Sequence, residues 1–279
     1  MVLVLITALV GPFFIDWTIY RSTFETYASR VLGHRVTVLG EADLRLLPAP
    51  YIRFSDVRVG EAEDPLLVVS RFDMRVELPP LLKGEFRVVD MALERPHLTL
   101  SLDEAGRLDW LTAVTADGAL ADLPPEDVAL EKVTIRDGAI SVIDARTGET
   151  HSLDNGNLSV SARTLAGPFR ADGSLTLNGS AYTVSLASGR IRDNESLRLK
   201  GDVTPTDRPV TFSFDGALSE TDAAPRFDGA FDITSVALDE GDTNTWSVDG
   251  QFSADIAEVA VPDFEFRFGP EDKRLAMTG

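Results

Sequence analysis

Residues 71–78 read Arg-Phe-Asp-Met-Arg-Val-Glu-Leu, with a hydrophobe at every even position and a charge at every odd one. A period of two belongs to a pleated strand, so Phe72, Met74, Val76 and Leu78 share one face and the charges share the other. Working outward, the same alternation predicts strands over Val36–Leu39, Ile52–Val59, Leu67–Leu78, Phe86–Leu93, Leu98–Leu102, Val128–Ile135 and Ile140–Ile143, and onward to Val259–Phe268. Short connections separate them. Asp-Gly occurs at 117, 137, 172, 215, 228 and 249 and Asn-Gly at 155 and 178, pairs that accept the positive φ of tight hairpins. Crossover helices are lacking, which excludes a parallel α/β sheet and predicts an elongated antiparallel meander of repeated hairpins.

At 279 residues and 44% hydrophobic, the chain can bury a large core. The net charge is −19: residues 1–112 hold 12 basic and 16 acidic side chains, and the remainder 14 and 29, or −15. Such a surface repels phosphates, so nucleic acid is excluded as a partner. Cysteine is absent, which rules out disulfides and thiolate chemistry.

The N-terminus differs from the rest. Val2–Ile15 is uncharged, and Trp17 and Tyr20 follow as candidate membrane-interface residues. Crossing a bilayer takes about 20 apolar residues, whereas this run supplies 14. A cleaved signal peptide is the rival reading, but no basic region precedes the run, and Phe13, Phe14, Ile15 and Trp17 stand where a small-residue cleavage site would lie. An uncleaved anchor is therefore expected. Arg21, Arg30 and Arg35 lie on its C-terminal side, against the positive-inside rule, a conflict that upstream basic residues would remove. Trp17, Tyr20, Phe24, Tyr27, Ala28, Val31 and Leu32 recur at helical spacing, and Gly33 stands where a helix ends. This amphipathic helix either packs on the sheet or lies on the bilayer.

An internal repeat runs through the strands. Met91, Leu93, Leu98, Leu100 and Gly106 reappear 42 residues later as Val133, Ile135, Ile140, Val142 and Gly148, with Pro96 and Gly138 at matching turns. A third copy is read at Leu175, Leu177, Tyr182 and Val184. Hairpin units of this length point to a repeat array in which each unit extends its neighbour's sheet. Residues 110–127, rich in small, acidic and proline residues, break the alternation. The organisation read is a membrane anchor at 1–20, a β region with its helix at 21–112, a Pro-rich connection at 113–127 and an acidic β-repeat region at 128–279.

Chemistry-bearing motifs are scarce. His34, His97 and His151 are far apart with no second ligand at zinc or triad spacing. No nucleophile elbow, phosphate loop or dinucleotide fingerprint occurs. Asp239-Glu240-Gly241-Asp242 lacks a complete calcium loop and reads as a solvated turn. A non-enzyme is expected, with no cofactor or metal.

Several short stretches, in this order and spacing, resemble the N-terminal region of the AsmA family of bacterial envelope proteins: Ala42-Asp43-Leu44-Arg45-Leu46-Leu47-Pro48-Ala49-Pro50, Ser55-Asp56-Val57-Arg58-Val59, Leu78-Pro79-Pro80-Leu81-Leu82-Lys83-Gly84, Leu93-Glu94-Arg95-Pro96 and Gly106-Arg107-Leu108-Asp109-Trp110. Val133–Gly138 and Leu165-Ala166-Gly167-Pro168-Phe169 resemble the repeats that follow in that family. Asp109 stands where the family often has asparagine. Basic residues before the anchor are missing, and Thr278-Gly279 resembles a mid-domain position, so a piece of a longer protein is expected.

The resemblance implies an inner-membrane protein with a single N-terminal anchor and its bulk in the periplasm, related to bridge-like lipid transfer proteins whose sheets curl into an apolar groove or open half-barrel. A sheet with one apolar face must pair with another sheet, close, or shelter a ligand. Phe72, Met74, Val76, Leu78, Val88, Leu98 and Leu100 are the candidate lipid-groove residues, with ordinary core packing as the alternative for each. The partner expected is a phospholipid or other acyl-chain lipid, for outer-membrane biogenesis. The rival function is an assembly factor acting on outer-membrane protein or lipopolysaccharide placement through protein contacts, with outer-membrane assembly proteins as partners.

Overall fold

The computed structural model describes residues 19–45, 50–77, 87–103, 129–145, 147–164, 167–190, 196–221, 224–235, 245–255, 258–269 and 275–278. They form helix α1 (Ile19–Leu32) and fifteen strands: β1 (Val36–Val38), β2 (Ala42–Arg45), β3 (Tyr51–Gly60), β4 (Pro65–Val76), β5 (Arg87–Leu102), β6 (Ala129–Asp144), β7 (Thr150–Ala162), β8 (Phe169–Leu177), β9 (Ser180–Ser188), β10 (Leu197–Pro205), β11 (Val210–Thr221), β12 (Ala224–Ser235), β13 (Trp246–Ala254), β14 (Val259–Phe268) and β15 (Leu275–Thr278). All fifteen belong to one sheet in sequence order, except that β1 and β2 both pair with β3. The sheet does not close: β15 pairs with β14, and the far edge is β1 and β2. The fold is mainly β, as the alternation predicts.

One pairing departs from the expected antiparallel meander. β5 and β6 run parallel from Arg87↔Ala129 to Leu102↔Asp144. A parallel return needs a dozen or more residues of connection, and 103–128, which contains the compositional break at 110–127, supplies it. Most of that connection lies outside the described residues, but the sheet continues across it. The 42-residue repeat acquires a physical meaning here. Met91↔Val133, Leu93↔Ile135, Leu98↔Ile140 and Leu100↔Val142 are direct neighbours, so the offset is the register of the parallel pair.

The expected hairpins at Pro96 and Gly138 do not form. Residues 87–102 and 129–144 are single strands of 16 residues, bent at Arg95 (φ 49°) and Asp137 (φ 51°). A two-residue hairpin of the Asn-Gly kind needs positive φ at both residues. Among the described pairs only Asn178-Gly179 meets that requirement, at 48° and 84°, and it joins β8 to β9. The third repeat copy is thus a true hairpin, unlike the first two. At 137 and 155 the first residue alone is left-handed, and the strand bends but continues. Asp-Gly at 172, 215, 228 and 249 lies inside ordinary strand; the pair at 117 falls outside the described residues.

The bends line up. Register places Asp56 (φ 50°) beside Ser70, Ser70 beside Arg95, and Arg95 beside Asp137, with Asn155 (φ 51°) next to them on β7. Across this line the apolar positions change parity, from Phe54 to Val57 on β3 and from Leu93 to Leu98 on β5. A left-handed residue absorbs the odd step and keeps both sets on one face. Phe54, Val57, Val59 and Val69 accordingly share a single buried cluster.

Helix α1 covers the first strands. Its residues Phe24, Ala28 and Leu32 pack on that cluster, with Phe24 4.3 Å from the Phe54 ring and 5.8 Å from Phe72, centroid to centroid. Gly33 ends the helix with φ 68°, the left-handed C′ position expected of a glycine. Polar groups fix the docking. Ser29 Oγ accepts from Val36 N at 2.7 Å and Glu25 Oε1 from Val38 N at 2.8 Å, while Arg21 donates to Gly40 O at 2.8 Å. Outward N–H groups of the edge strand β1 are thereby satisfied, which blunts an edge otherwise free to pair. Of the two placements open to the amphipathic helix, the structure has it on the sheet. No helix among the described residues is long and apolar enough to cross a membrane; Val2–Ile15 and Trp17 lie outside them, and Tyr20 stands in the first turn of α1.

Candidate functional site

The apolar face forms continuous rows perpendicular to the strands. One runs from β3 to β14 as Ile52, Met74, Met91, Val133, Val160, Ala171, Leu186, Gly201, Phe214, Phe231, Gly250 and Phe264, each in register with the next. A second runs beside it, two residues along each strand, from Phe54 through Phe72, Leu93 and Ile135 to Phe212, Ile233, Val248 and Phe266. Period-two alternation produces such rows only when register holds from strand to strand. What covers them changes along the sheet. Val36, Val38, Phe54, Val57, Val59, Val69, Met74, Val76 and Val88 are buried, whereas Ala162 and Val184 are the only buried hydrophobes described beyond β5. Leu186, Phe264 and Phe268 are 38%, 38% and 42% exposed.

The residues singled out by alternation fall unevenly on this face. Met74, Val76 and Val88 are 8%, 7% and 2% exposed and form a packed cluster, and Phe72 lies against Phe24 of the helix. These four sit at the covered end. Leu98 and Leu100 are half-buried beyond the line of bends, beside Ile140 and Val142. Leu78 lies outside the described residues.

Sequence reasoning missed the more open stretch, over β10–β14. Phe212, Phe214, Phe227, Phe231 and Phe252 form a connected cluster, with ring centroids between 5.2 and 6.5 Å apart. Glycines make room for it. A Cβ on Gly201 would stand 3.1 Å from the Phe214 ring, one on Gly216 2.6 Å and one on Gly229 2.9 Å from Phe227, and one on Gly250 3.0 Å from Phe231. Each of these rings lies over a neighbouring backbone that bears no side chain, an aromatic cover for glycine in a sheet. This accounts for the Asp-Gly pairs at 215, 228 and 249. The aspartate takes the polar face, and the glycine lets a neighbouring phenylalanine lie down. The result is a low, smooth apolar floor. The signal was present as Gly and Phe at matching alternation parity, but it becomes readable only with register.

The opposite face is polar and self-paired. Asp172, Ser185, Asp202, Ser213, Asp232, Asp249 and Glu265 form one cross-strand row. Ser185 and Ser213 donate to Asp172 and Asp202, both at 2.7 Å, and so separate carboxylates that would repel. Arg267 meets Asp249 and Glu265, and these carboxylates hold its guanidinium pKa well above the usual value. At the other end, burial and the hydrogen bond to Asp43 raise the Tyr51 phenol, and Arg53 pairs with Asp73. The histidines are scattered. His97 bonds Ser141 at 2.9 Å and His151 is 3.9 Å from Glu149. No group of His, Cys, Asp or Glu among the described residues could hold a metal ion, and 239–242 falls outside them.

The geometry is that of an apolar strip many strands long, backed by a charged face and covered at one end by a helix. The family model of the AsmA family matches residues 1–246. Curated proteins give no match to the chain.

Proposed function

Because this chain belongs to the AsmA family, whose members are envelope-associated, we propose that its open apolar face binds acyl-chain lipids and guides them along the sheet in outer-membrane biogenesis. The residues before α1 anchor it in the inner membrane, and the sheet stands in the periplasm. The observation that carries this reading is the row of apolar positions, unbroken from β3 to β14 and uncovered beyond β5 among the described residues.

Magnitudes favour conduction over a single fixed site. Strands are about 4.8 Å apart, so eleven steps from β3 to β14 span roughly 53 Å of floor. Half the hydrocarbon thickness of a bilayer, about 15 Å, is the reach of one acyl chain. Several chains therefore fit in file. An acyl chain laid on the floor buries about half its surface, roughly 0.4 kcal/mol per CH2, or about 6 kcal/mol for ~15 methylenes. That is enough for retention, and burial is non-directional, so sliding to the next equivalent position carries little penalty. The glycine-seated phenylalanines leave no upright side chain to block the path. Helix α1 covers the first strands of the face, which favours entry farther along the sheet.

Photo-crosslinking tests the reading. A photoreactive residue replacing Phe231 on the apolar face should capture labelled phospholipid from vesicles several-fold more than one replacing Asp232 on the polar face. Equal capture at both positions, or no lipid recovered from the purified full chain, would sink it. A second reading, an assembly factor docking envelope proteins, draws on the edge of β15, which has only β14 as a neighbour among the described residues. Crosslinking from Ala276 to protein and never to lipid, with Phe231 silent, is the outcome that favours it.

A further inference from the structure

Arg21, Arg30 and Arg35 follow the uncharged run Val2–Ile15, and an apolar lipid-binding face gives them no role. Residues 19–40 hold these three arginines against Glu25 alone, a net +2 in a chain of −19, which leaves −21 for the rest. The two elements built from this segment are neighbours. Helix α1 lies along the outer edge of β1, the first strand of the sheet, through the bonds from Val36 N to Ser29 Oγ and from Val38 N to Glu25 Oε1. The one carboxylate of the segment is thereby engaged with backbone.

Both elements turn cations outward. On α1, Phe24, Ala28 and Leu32 pack on the sheet, while Ser22, Thr26 and Arg30 form an exposed stripe on the opposite side. On β1, Val36 and Val38 are buried, so alternation sends Arg35, Thr37 and Leu39 to the other face. Gly60 N donates to Arg35 O at 2.8 Å and Leu39 N to Asp56 O at 3.0 Å, which fixes the backbone at both ends of the strand. Arg30 and Arg35 are exposed, and Leu39 is 54% exposed. In the last turn of α1, Arg30 also suits the helix dipole, an account that does not extend to Arg35 or Leu39. Guanidinium groups donate paired N–H bonds to phosphate oxygens, and an exposed leucine between them and the sheet edge suits the boundary of headgroups and acyl chains.

We infer that α1 and β1 form a base seated on the anionic surface of the bilayer, with Arg30, Arg35 and Leu39 against its headgroups. This rests on the reading that the residues before α1 anchor the chain, and it adds how the sheet stands on that membrane. Each basic residue held near an anionic surface raises the ratio of seated to lifted base about fivefold. The attraction fades over about 10 Å at 0.1 M salt. Strand β10 is eight strand spacings from β1, or about 38 Å along the sheet, and the array there shares the sign of the membrane. With its base attracted and its array repelled, the sheet directs the apolar row away from the bilayer.

Because the chain has no cysteine, a fluorophore can be attached at one chosen position. The full chain carrying Thr26→Cys on α1, or Asp207→Cys in the β10–β11 turn, is reconstituted in phosphatidylglycerol-containing vesicles whose headgroups bear nitroxide quenchers. The label at 26 should be quenched several-fold more than the label at 207. Arg30→Gln combined with Arg35→Gln should lower the ratio of seated to lifted base, read at 26, roughly 25-fold, and vesicles of phosphatidylcholine alone should lower it as well. The pair Arg30→Lys and Arg35→Lys keeps the charge and should retain the quenching, which separates loss of charge from loss of fold. If the chain floats with the vesicles but both labels are quenched equally, the base is overturned and the anchor stands. If the chain does not float with them, the anchor fails and the base with it. Quenching at 26 that persists in the glutamine pair, or on phosphatidylcholine alone, would mean that the tether alone brings α1 near the bilayer and would overturn the headgroup contact.

Discussion

The strands β1–β5 and β6–β15 share one alternation and one sheet, yet their apolar faces have different fates. Among the described residues, nine hydrophobes of the first group are buried beneath α1 and their neighbours, and in the second Ala162 and Val184 are. Alternation reports which side chains share a face and is silent on what covers it. Cover comes from elements far away in sequence, here a helix whose Phe24 reaches Phe54 30 residues on. The contrast teaches that one apolar row can serve as core at one end and as working surface at the other.

The largest test of that contrast lies under the helix. Phe54 is 1% exposed and stacks 4.3 Å from Phe24. Phe54→Ala should cost about 3–5 kcal/mol by removing a buried ring and leaving a cavity, read as a lowered denaturant midpoint. Met74→Glu, 8% exposed inside its cluster, should destabilise by a similar amount through burial of an unpaired carboxylate. A stable Met74→Glu protein with reduced lipid occupancy would instead show that the open surface reaches into β4.

A smaller effect is expected where rings lie on glycine. Gly216→Val sets a branched side chain 2.4 Å from the Asp228 carbonyl oxygen and 2.6 Å from the Phe227 ring, so backbone and ring must both shift, and it should cost about 3 kcal/mol through overpacking. It should also slow lipid transfer between vesicles, because the displaced ring must rise from the floor. Unchanged transfer in a folded Gly216→Val protein would mean that floor smoothness is irrelevant. Smaller again is the edge seal. Ser29→Ala leaves Val36 N, bonded at 2.7 Å in the wild type, without its acceptor and should cost about 1 kcal/mol, seen as faster amide exchange at Val36 with the rest of the sheet unchanged.

Much of this architecture is legible in the chain alone. The helix, its end at Gly33 and the one-faced strands follow from period and cap chemistry, and Phe72, Met74, Val76 and Val88 do share the expected face. The rest depends on register, which no local window contains. Asp-Gly carries the same local propensity at 137, 215 and 228, but whether the chain turns, bends or runs straight is decided by its partners across the sheet. The 42-residue repeat was visible as a pattern, while its cause, two parallel strands in register, needed the connection at 103–128 to be understood as a crossover. The phenylalanine floor was hidden for the same reason: Phe227 and Gly216 are 11 residues apart and become neighbours only through the β11–β12 pairing.

The smallest stability effect is the most discriminating for function. Phe264 ends the long row at β14 and is 38% exposed, with no element packed over it among the described residues. Phe264→Glu should therefore change stability by no more than about 0.5–1 kcal/mol, the range of surface substitutions. Its carboxylate, however, would stand where a sliding acyl chain must pass, and an apolar chain cannot solvate it. Lipid transfer should fall several-fold while the melting curve overlays the wild type. Phe54→Ala gives the opposite signature, a large loss of stability that lowers transfer only in proportion to the unfolded fraction. If Phe264→Glu destabilises as severely as Phe54→Ala, the far end of the row is core as well, and the functional contrast between the two regions collapses.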